Sequence, residues 1–170
     1  MRQPLQIRSA EVEDALAILE VLNPIIADGR FTIMQDKFSL EEQVEYIQRF
    51  NSGNRGIYNV AVREGDGRIV GIQGVEPVSV EERALAHVGE ISTFVAMDIH
   101  GSGVGKELSR TTFHQAREEG FLKLIATIRA DNPQALSFYQ SLGFTLIGIA
   151  KNHAHVRGNF IDEIFTEFLL

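Results

Sequence analysis

The feature that most constrains the fold is a glycine-rich turn between an apolar segment and a helical pattern. Ile91–Met97 is an apolar, β-like run, and His100–Lys106 follows it with glycine at positions 101, 103 and 105. Because glycine has no Cβ, backbone N–H groups in such a turn can approach a ligand closely, and a helix beginning near Val104 would direct its positive end to the same place. The turn predicts an anion site. A glycine-rich turn that binds nothing is the alternative.

Length and composition restrict the class of protein. A chain of 170 residues, 44% of them hydrophobic, predicts a single α/β domain over residues 1–170. No apolar run reaches the roughly 18 residues of a membrane span, and Met1–Pro4 lacks the apolar core of a signal peptide, so we expect a cytoplasmic protein without membrane contact. The absence of cysteine excludes thiolate chemistry, and a net charge of −7 argues against nucleic acid as a partner.

Local cations must then attract an anionic ligand. The candidates in and after the helix that follows the glycine turn are Lys106, Arg110, Arg117, Lys123 and Arg129. Each of them is equally compatible with a solvated surface position.

Hydrophobic periodicity and turn residues predict alternating strands and helices. The predicted strands are Gln6–Ser9, Ile57–Arg63, Ile69–Val78, Val88–Met97, Leu122–Ile128, Phe144–Ala150 and Phe160–Leu170. The predicted helices cover Val12–Leu22, ended by Pro24; Ser39–Phe50, with a Ser39/Glu42 capping box; Val104–Gly120; and a short helix capped by Asn132 and closed by Gly143. Asp28–Lys37 and Lys151–Asn159 are predicted loops.

Two connections predict how the strands pair. Glu64–Gly67 contains glycines suited to a tight hairpin, which predicts antiparallel pairing of the strands on either side. The strand, turn, helix and strand from Val88 to Ile128 form a crossover unit, which predicts a parallel pair with the glycine turn at the carboxyl end of its first strand.

Two motifs together resemble a known superfamily. Val95–Gly105 resembles the pyrophosphate loop of the GNAT N-acyltransferases, and Asn132–Phe144 resembles their second signature, Asn-x-x-Ala followed by an aromatic pair and Gly-Phe. Ile7–Arg8, Asn23, Glu90–Val95 and Gly158–Asp162 are most similar to the phosphinothricin acetyltransferase-like group. The resemblance implies an α/β (α+β) GNAT fold, a mixed sheet of about six to seven strands with flanking helices.

The resemblance also implies a cosubstrate, acetyl-CoA, and the residues that bind it. His100, Gly101, Ser102, Gly103, Val104, Gly105 and Lys106 would hold the pyrophosphate, and Asn132 and the backbone of Thr93, Phe94 and Val95 would hold the pantetheine arm. The superfamily usually has Arg or Gln at the position of His100. Because the glycine amides and the helix dipole remain, we expect acetyl-CoA binding to be retained.

Amine acetylation requires a base to deprotonate the acceptor and an acid to protonate the leaving thiolate. By resemblance, the candidate base is Glu90, and the candidate acid is Tyr139, the second residue of the aromatic pair. A solvated strand-end carboxylate and a core tyrosine are the alternatives. Metal is not expected, because His153 and His155 have no cysteine or fixed third ligand nearby.

The acceptor is the least determined part of the prediction. Arg30, Phe31 and Met34 are the candidate lining residues, and Arg30 would suit an acceptor carboxylate if it is not simply a solvated loop arginine. The resulting prediction is an N-acetyltransferase that acetylates the primary amine of a small molecule, such as an amino acid or an analogue, by direct attack. A protein or peptide N-acetyltransferase and a non-catalytic acyl-CoA-binding regulatory domain stay open, as does a homodimer.

Overall fold

A computed structural model describes residues 4–52 and 55–170, and this part of the chain forms a seven-stranded mixed sheet with flanking helices. The strands are β1 (Leu5–Ser9), β2 (Ile57–Arg63), β3 (Ile69–Pro77), β4 (Val88–Val95), β5 (Lys123–Arg129), β6 (Thr145–Val156) and β7 (Asn159–Leu169). The helices are α1 (Ala15–Asp28), α2 (Leu40–Asn51), α3 (Val104–Glu118) and α4 (Pro133–Ser141). Met1–Gln3, part of the segment Met1–Pro4 considered above, lie outside the described residues.

The sheet has the order β1-β2-β3-β4-β5-β7-β6, and β4 and β5 are its parallel pair. The predicted α/β (α+β) class, the hairpin and the parallel crossover are therefore confirmed. Strands β4 and β5 pair only where Val88–Glu90 of β4 lie beside Lys123–Ile125 of β5, whereas β5 continues beside β7 to Arg129. The two central strands thus separate after Glu90, and the opening between them positions the candidate site.

Helices cover both faces of the sheet. Helix α1 places Ile18, Leu22 and Ile25 along one stripe at helical spacing, and these side chains are buried in a core cluster with Tyr58 and Ile72. Helix α3 packs on the opposite face. Its Val104 and Leu108 approach the β3 backbone at Gly71 so closely that a Cβ there would lie 2.7 Å from Val104. None of the helices in the described residues is long and apolar enough to cross a membrane.

The predicted end of the first helix at Pro24 is wrong. Helix α1 continues through Pro24 to Asp28 and ends at Gly29, which has a left-handed φ of 80°. A proline removes one helical hydrogen bond, but Ile25 and Ile26 beyond it are fully buried. Burial of this last turn in the core outweighs the cost of the helical hydrogen bond that Pro24 removes. The predicted capping box of α2 is confirmed, with Ser39 Oγ accepting from Glu42 N at 3.2 Å.

The predicted polar loop over Lys151–Asn159 is also wrong. Strand β6 extends to Val156 and meets β7 at a tight turn around Gly158. A register shift between Ala150 and Ala154, with Asn152 at a φ of 50°, marks a bulge in this strand. Because β6 is the edge of the sheet, its polar side chains remain in water, and the segment therefore lacks the apolar signal of a strand.

Candidate active site

The glycine turn forms the wall of a cavity of about 410 Å³. Gly101 and Gly103 have left-handed φ values of 78° and 93°, and α3 begins directly after Gly103 without a side-chain cap. Lys106 N donates to the Gly103 carbonyl and Ser102 N to the Ile99 carbonyl, whereas the N–H groups of Val104 and Gly105, at the start of α3, have no acceptor within the helix and no capping side chain. Because the positive end of the helix dipole points to the same place, we call the stretch Gly101–Lys106, which lines the cavity, the candidate anion-binding wall.

His100 is fixed at the end of β4. Its Nε2 donates to the Val95 carbonyl at 2.9 Å, and its ring meets the Phe31 ring edge-on with centroids 5.3 Å apart. The imidazole therefore belongs to the cavity wall. One backbone acceptor of the predicted pantetheine edge, the Val95 carbonyl, is already engaged by this ring.

The predicted cations have different surroundings. Lys106 lines the cavity, and among the five candidates in the described chain it alone does so. The others lie elsewhere: Arg110 pairs with Glu107, Arg117 donates to the Phe113 carbonyl, Lys123 pairs with Glu167, and Arg129 pairs with Asp131. The positive potential at the anion-binding wall thus comes from backbone groups and Lys106.

The open edge of β4 exposes alternate backbone groups. Val78 N donates to the Val88 carbonyl and Ala96 N donates to the Val70 carbonyl, and the β3–β4 register is continuous between these bonds. Backbone groups alternate sides along a strand, so Phe94 pairs with β3, whereas Thr93 and Val95 direct theirs to the side that β5 leaves. Of the three predicted pantetheine contacts, two therefore have backbone groups on the open side.

A second cavity, of about 600 Å³, meets the first at the strand opening. The residues that line both cavities are Phe31, Thr93, Phe94, Asn132, Ala135 and Tyr139. Glu90 lines the second cavity from an exposed position, and its carboxylate accepts a hydrogen bond from Thr127 Oγ1 at 3.2 Å. Side chains alternate along β4, so Glu90 and Thr93 belong to opposite faces of the strand. The candidate base, Glu90, and the candidate acid, Tyr139, whose hydroxyl contacts Thr93, therefore approach the junction from different sides of β4.

Tyr139 is buried at this junction, with its hydroxyl 3.0 Å from Thr93 Oγ1. Burial raises the pKa of Tyr139 to about 12, the hydrogen bond with Thr93 acts in the opposite direction, and the charge of Glu90 adds to the increase. The phenol consequently keeps its proton at neutral pH, which is the form that a proton donor requires.

Sequence reasoning missed a polar network behind Thr93. Gln73 is fully buried on β3, and its Nε2 donates to Thr93 Oγ1 and to Ser109 Oγ, both at 2.9 Å. Ser109 Oγ in turn donates to the Gly105 carbonyl at 2.8 Å. The chain of contacts joins the first turn of α3 to the Tyr139 hydroxyl. A lone glutamine within the apolar run of β3 was the available signal.

Asn132 lies on the other side of the first cavity. Its Oδ1 accepts from Ala135 N at 3.1 Å, which caps α4, and its Nδ2 lies 3.5 Å from the Phe31 carbonyl. The predicted N-cap is confirmed. One acceptor position and one donor of its side chain are thus used to connect α4 with the loop of Phe31.

The predicted acceptor residues are not all brought together. Phe31 lines both cavities. Arg30 makes a bidentate pair with Asp28, its side chain is 75% exposed, and it lines neither cavity. Met34 packs against the core cluster of α1 and likewise lies outside the cavity walls. The acceptor side instead contains residues that sequence reasoning missed, including Glu76 and Glu163.

His153 and His155 pack against aromatic rings, with His153 edge-on to Phe165 and His155 against Phe160. Within residues 4–52 and 55–170, no group of three His, Cys, Asp or Glu side chains is placed to hold a metal ion.

Comparison with known proteins identifies the family. The profile described as acetyltransferase (GNAT) domain matches residues 7–165. An L-amino acid N-acyltransferase of Escherichia coli, MnaT, is 24% identical over 166 residues, covering 98% of this chain and 94% of its own length.

Two solved structures have the same fold. A GNAT superfamily phosphinothricin acetyltransferase from Sinorhizobium meliloti, in complex with acetyl-CoA, superimposes with a TM-score of 0.86 at 26% identity, covering 100% of this chain and 89% of that one. A ribosomal-protein-alanine N-acetyltransferase from Brucella melitensis has a TM-score of 0.89 at 27% identity, covering 97% and 99%. The predicted resemblance to this superfamily is confirmed.

Proposed function

Because this chain belongs to the acetyltransferase (GNAT) family, whose enzymes use acetyl-CoA, we propose that it acetylates the primary amine of a small molecule. The observation that carries the proposal is the junction of two cavities at Thr93, Phe94 and Tyr139, which offers a donor and an acceptor separate routes to one point. The relatives that act on L-amino acids and on phosphinothricin support a small acceptor and make amino-acid-like amines the first class to test.

The first cavity is the site that we propose for acetyl-CoA. Gly101 is exposed and has open space where a Cβ would lie, so an anion can reach the backbone of the turn. In our proposal, His100 to Lys106 hold the pyrophosphate, and Asn132 flanks the pantetheine arm. The open-edge backbone groups of Thr93 and the N–H of Val95, whose carbonyl is engaged by His100, bind this arm like an added strand. Phe94, whose backbone pairs with β3, lines the junction of the two cavities in this proposal and does not bind the pantetheine arm through its backbone.

Glu90 acts as the general base in this proposal. The carboxylate takes a proton from the acceptor ammonium, directly or through one water, and the neutral amine then attacks the acetyl carbonyl carbon. Thr127 holds the carboxylate on the acceptor side through its 3.2 Å hydrogen bond. Alignment of the amine and the carbonyl at the junction supplies much of the remaining rate enhancement.

Tyr139 acts as the general acid. As the bond between the acetyl carbon and sulfur breaks, the Tyr139 hydroxyl transfers its proton to the departing sulfur, and the acylated nitrogen loses its second proton to solvent. The phenolate of Tyr139 then recovers a proton from solvent. Burial supports this role, since a pKa of about 12 keeps the hydroxyl protonated throughout the neutral range.

The proposal is tested with purified protein, acetyl-CoA and a panel of primary amines, amino acids and short peptides with free α-amines. Free thiol reports turnover, and mass spectrometry identifies the N-acetyl product. We expect small amines to be acetylated with higher kcat/KM than peptides. Faster transfer to peptides would instead indicate a peptide N-acetyltransferase, and thiol release no faster than without an acceptor would indicate a regulatory acyl-CoA-binding domain.

A further inference from the structure

The second cavity, which holds the acceptor in our proposal and is called the acceptor cavity below, is lined by three carboxylates and one paired guanidinium. Glu76, Glu90 and Glu163 line it, and Arg129 is the only arginine or lysine among its lining residues in the described chain. Four of the five N–H groups of Arg129 are bonded within the protein, two to Asp131 and two to the carbonyls of Gly29 and Thr32. The side chain that could neutralise an acceptor carboxylate is therefore already engaged.

Glu163 is the carboxylate that needs explanation. The residue is 5% exposed and lines the acceptor cavity from β7, yet no hydrogen-bond donor in the described chain reaches its carboxylate. The nearest cationic candidate, His153 Nε2, is 3.9 Å away, beyond hydrogen-bond distance. The Glu163 oxygens are not sealed in the core, so the carboxylate faces the cavity without a protein donor. Arg129, the cross-strand partner of Glu163, contributes positive charge but donates its hydrogen bonds to other groups, and an ammonium group in the cavity would supply the donors that the Glu163 carboxylate lacks.

Glu163 is also separate from the candidate base. On the sheet, Thr127 pairs with Phe165 and Arg129 pairs with Glu163, so Glu163 lies diagonally across from Thr127, which holds Glu90. Diagonal neighbours in an antiparallel pair lie roughly 7–8 Å apart. One carboxylate can therefore receive the reacting amine while the other binds a group several bonds away in the same molecule.

We infer that the preferred acceptor carries a second cationic group, as an aliphatic diamine does, and that Glu163 binds it. This inference rests on the proposed function and narrows its acceptor class. It departs from acceptors that carry a carboxylate, because Arg30, the predicted partner of such a group, is paired with Asp28 outside the cavity.

The test measures binding and turnover separately, with three probes of matched length: putrescine, butylamine and γ-aminobutyrate. Calorimetry on the full-length protein saturated with coenzyme A measures binding. We expect putrescine to bind at least about tenfold more tightly than γ-aminobutyrate, the factor that corresponds to a single favourable charge contact. Glu163→Gln, which keeps the side-chain shape, should reduce the ratio of putrescine affinity to butylamine affinity by about tenfold.

Glu167→Gln is the matched control, because Glu167 lies on the same strand, pairs with Lys123 and lines neither cavity. It should leave the putrescine preference intact. The inference is overturned if γ-aminobutyrate binds as tightly as putrescine, if putrescine does not bind, or if Glu163→Gln leaves the affinity ratio unchanged while circular dichroism shows a native fold.

Turnover with acetyl-CoA and the same amines distinguishes the inference from the proposed function. If putrescine binds in a Glu163-dependent manner but no amine releases thiol, the proposed function fails and the acceptor-site inference stands. If γ-aminobutyrate is acetylated as efficiently as putrescine by both wild type and Glu163→Gln, the proposed function stands and the inference fails.

Discussion

The Thr93 hydroxyl oxygen lies 3.0 Å from the Tyr139 hydroxyl oxygen, at the junction of the two cavities. Thr93 Oγ1 accepts a hydrogen bond from the amide of Gln73, and the Thr93 hydrogen remains available to donate to the Tyr139 oxygen. That arrangement leaves the phenolic hydrogen of Tyr139 free to point into the junction. The buried amide of Gln73 thus holds the Thr93 hydroxyl in place beside the Tyr139 hydroxyl.

Replacement of the hydroxyl tests this arrangement. Thr93→Val should lower kcat about tenfold, since it removes a hydrogen bond that favours the phenolate form during proton transfer. The effect on acetyl-CoA affinity should be smaller, because the backbone of Thr93 is unchanged. Steady-state kinetics and calorimetry measure the two quantities.

Thr145→Val provides the control, since Thr145 is exposed on β6 and lines neither cavity. It should have wild-type kinetics. A Thr93→Val protein with unchanged kcat would indicate that Tyr139 acts without Thr93, and an equal loss in acetyl-CoA affinity would indicate a role in binding alone.

Substitution in the glycine turn tests the anion-binding wall. Gly103→Val should weaken acetyl-CoA binding by at least about 1.4 kcal/mol, a factor of ten, because a branched side chain would obstruct the N–H groups at the start of α3. Gly67→Val is the matched control, since Gly67 also has a left-handed φ, 72°, but lies in the hairpin between β2 and β3. A folded Gly103→Val protein that binds acetyl-CoA as tightly as Gly67→Val would remove the assignment of this turn.

The three tyrosines of the chain predict that the protein loses folding stability above pH 10. Burial raises the pKa of Tyr58 and Tyr139 to about 12, and burial followed by the hydrogen bond with Glu76 raises the pKa of Tyr46 further. The folded state therefore holds these protons more tightly than the unfolded state. Their contribution to stability is complete below pH 10 and is lost as the pH rises through about 12, with a slope of roughly 4 kcal/mol per pH unit if all three contribute.

Ultraviolet titration of phenolate and denaturant unfolding at several pH values measure this effect. Phenolate should appear well above pH 10, together with loss of the native circular dichroism signal. A phenolate transition centred near pH 10 in a protein that remains folded would contradict the buried environments of these rings.

Local sequence signals predicted most of the elements because they rest on nearest-neighbour chemistry. Ser39 with Glu42, Asn132 before Pro133, and glycine at 103 each satisfy or free backbone groups within one helical turn. The extension of α1 past Pro24 could not be predicted in this way. It depends on burial of Ile25 and Ile26 by elements that are distant in sequence.

The same distinction between local motifs and long-range contacts applies to the candidate site. The anion-binding wall and the pair of Glu90 and Tyr139 follow from motifs, whereas the surroundings of these residues depend on strand register. Gln73 meets Thr93 only because β3 and β4 pair in one particular register, and Glu163 reaches the acceptor cavity only through the pairing of β5 with β7. Of the predicted acceptor residues, Phe31 lines both cavities, whereas Arg30 pairs locally with Asp28 and lines neither.

The most direct test of the account compares two pH–rate profiles, for Glu90→Gln and Tyr139→Phe, with acetyl-CoA and a saturating amine. Glu90→Gln should lower kcat about 10² to 10⁴-fold, and the loss should shrink as the pH rises and the amine deprotonates unaided. Tyr139→Phe should lower kcat without recovery at high pH and with nearly unchanged acetyl-CoA affinity, because protonation of a thiolate becomes no easier as protons become scarce. Wild-type turnover by a folded Glu90→Gln protein across the pH range would contradict the assignment of Glu90 as the general base.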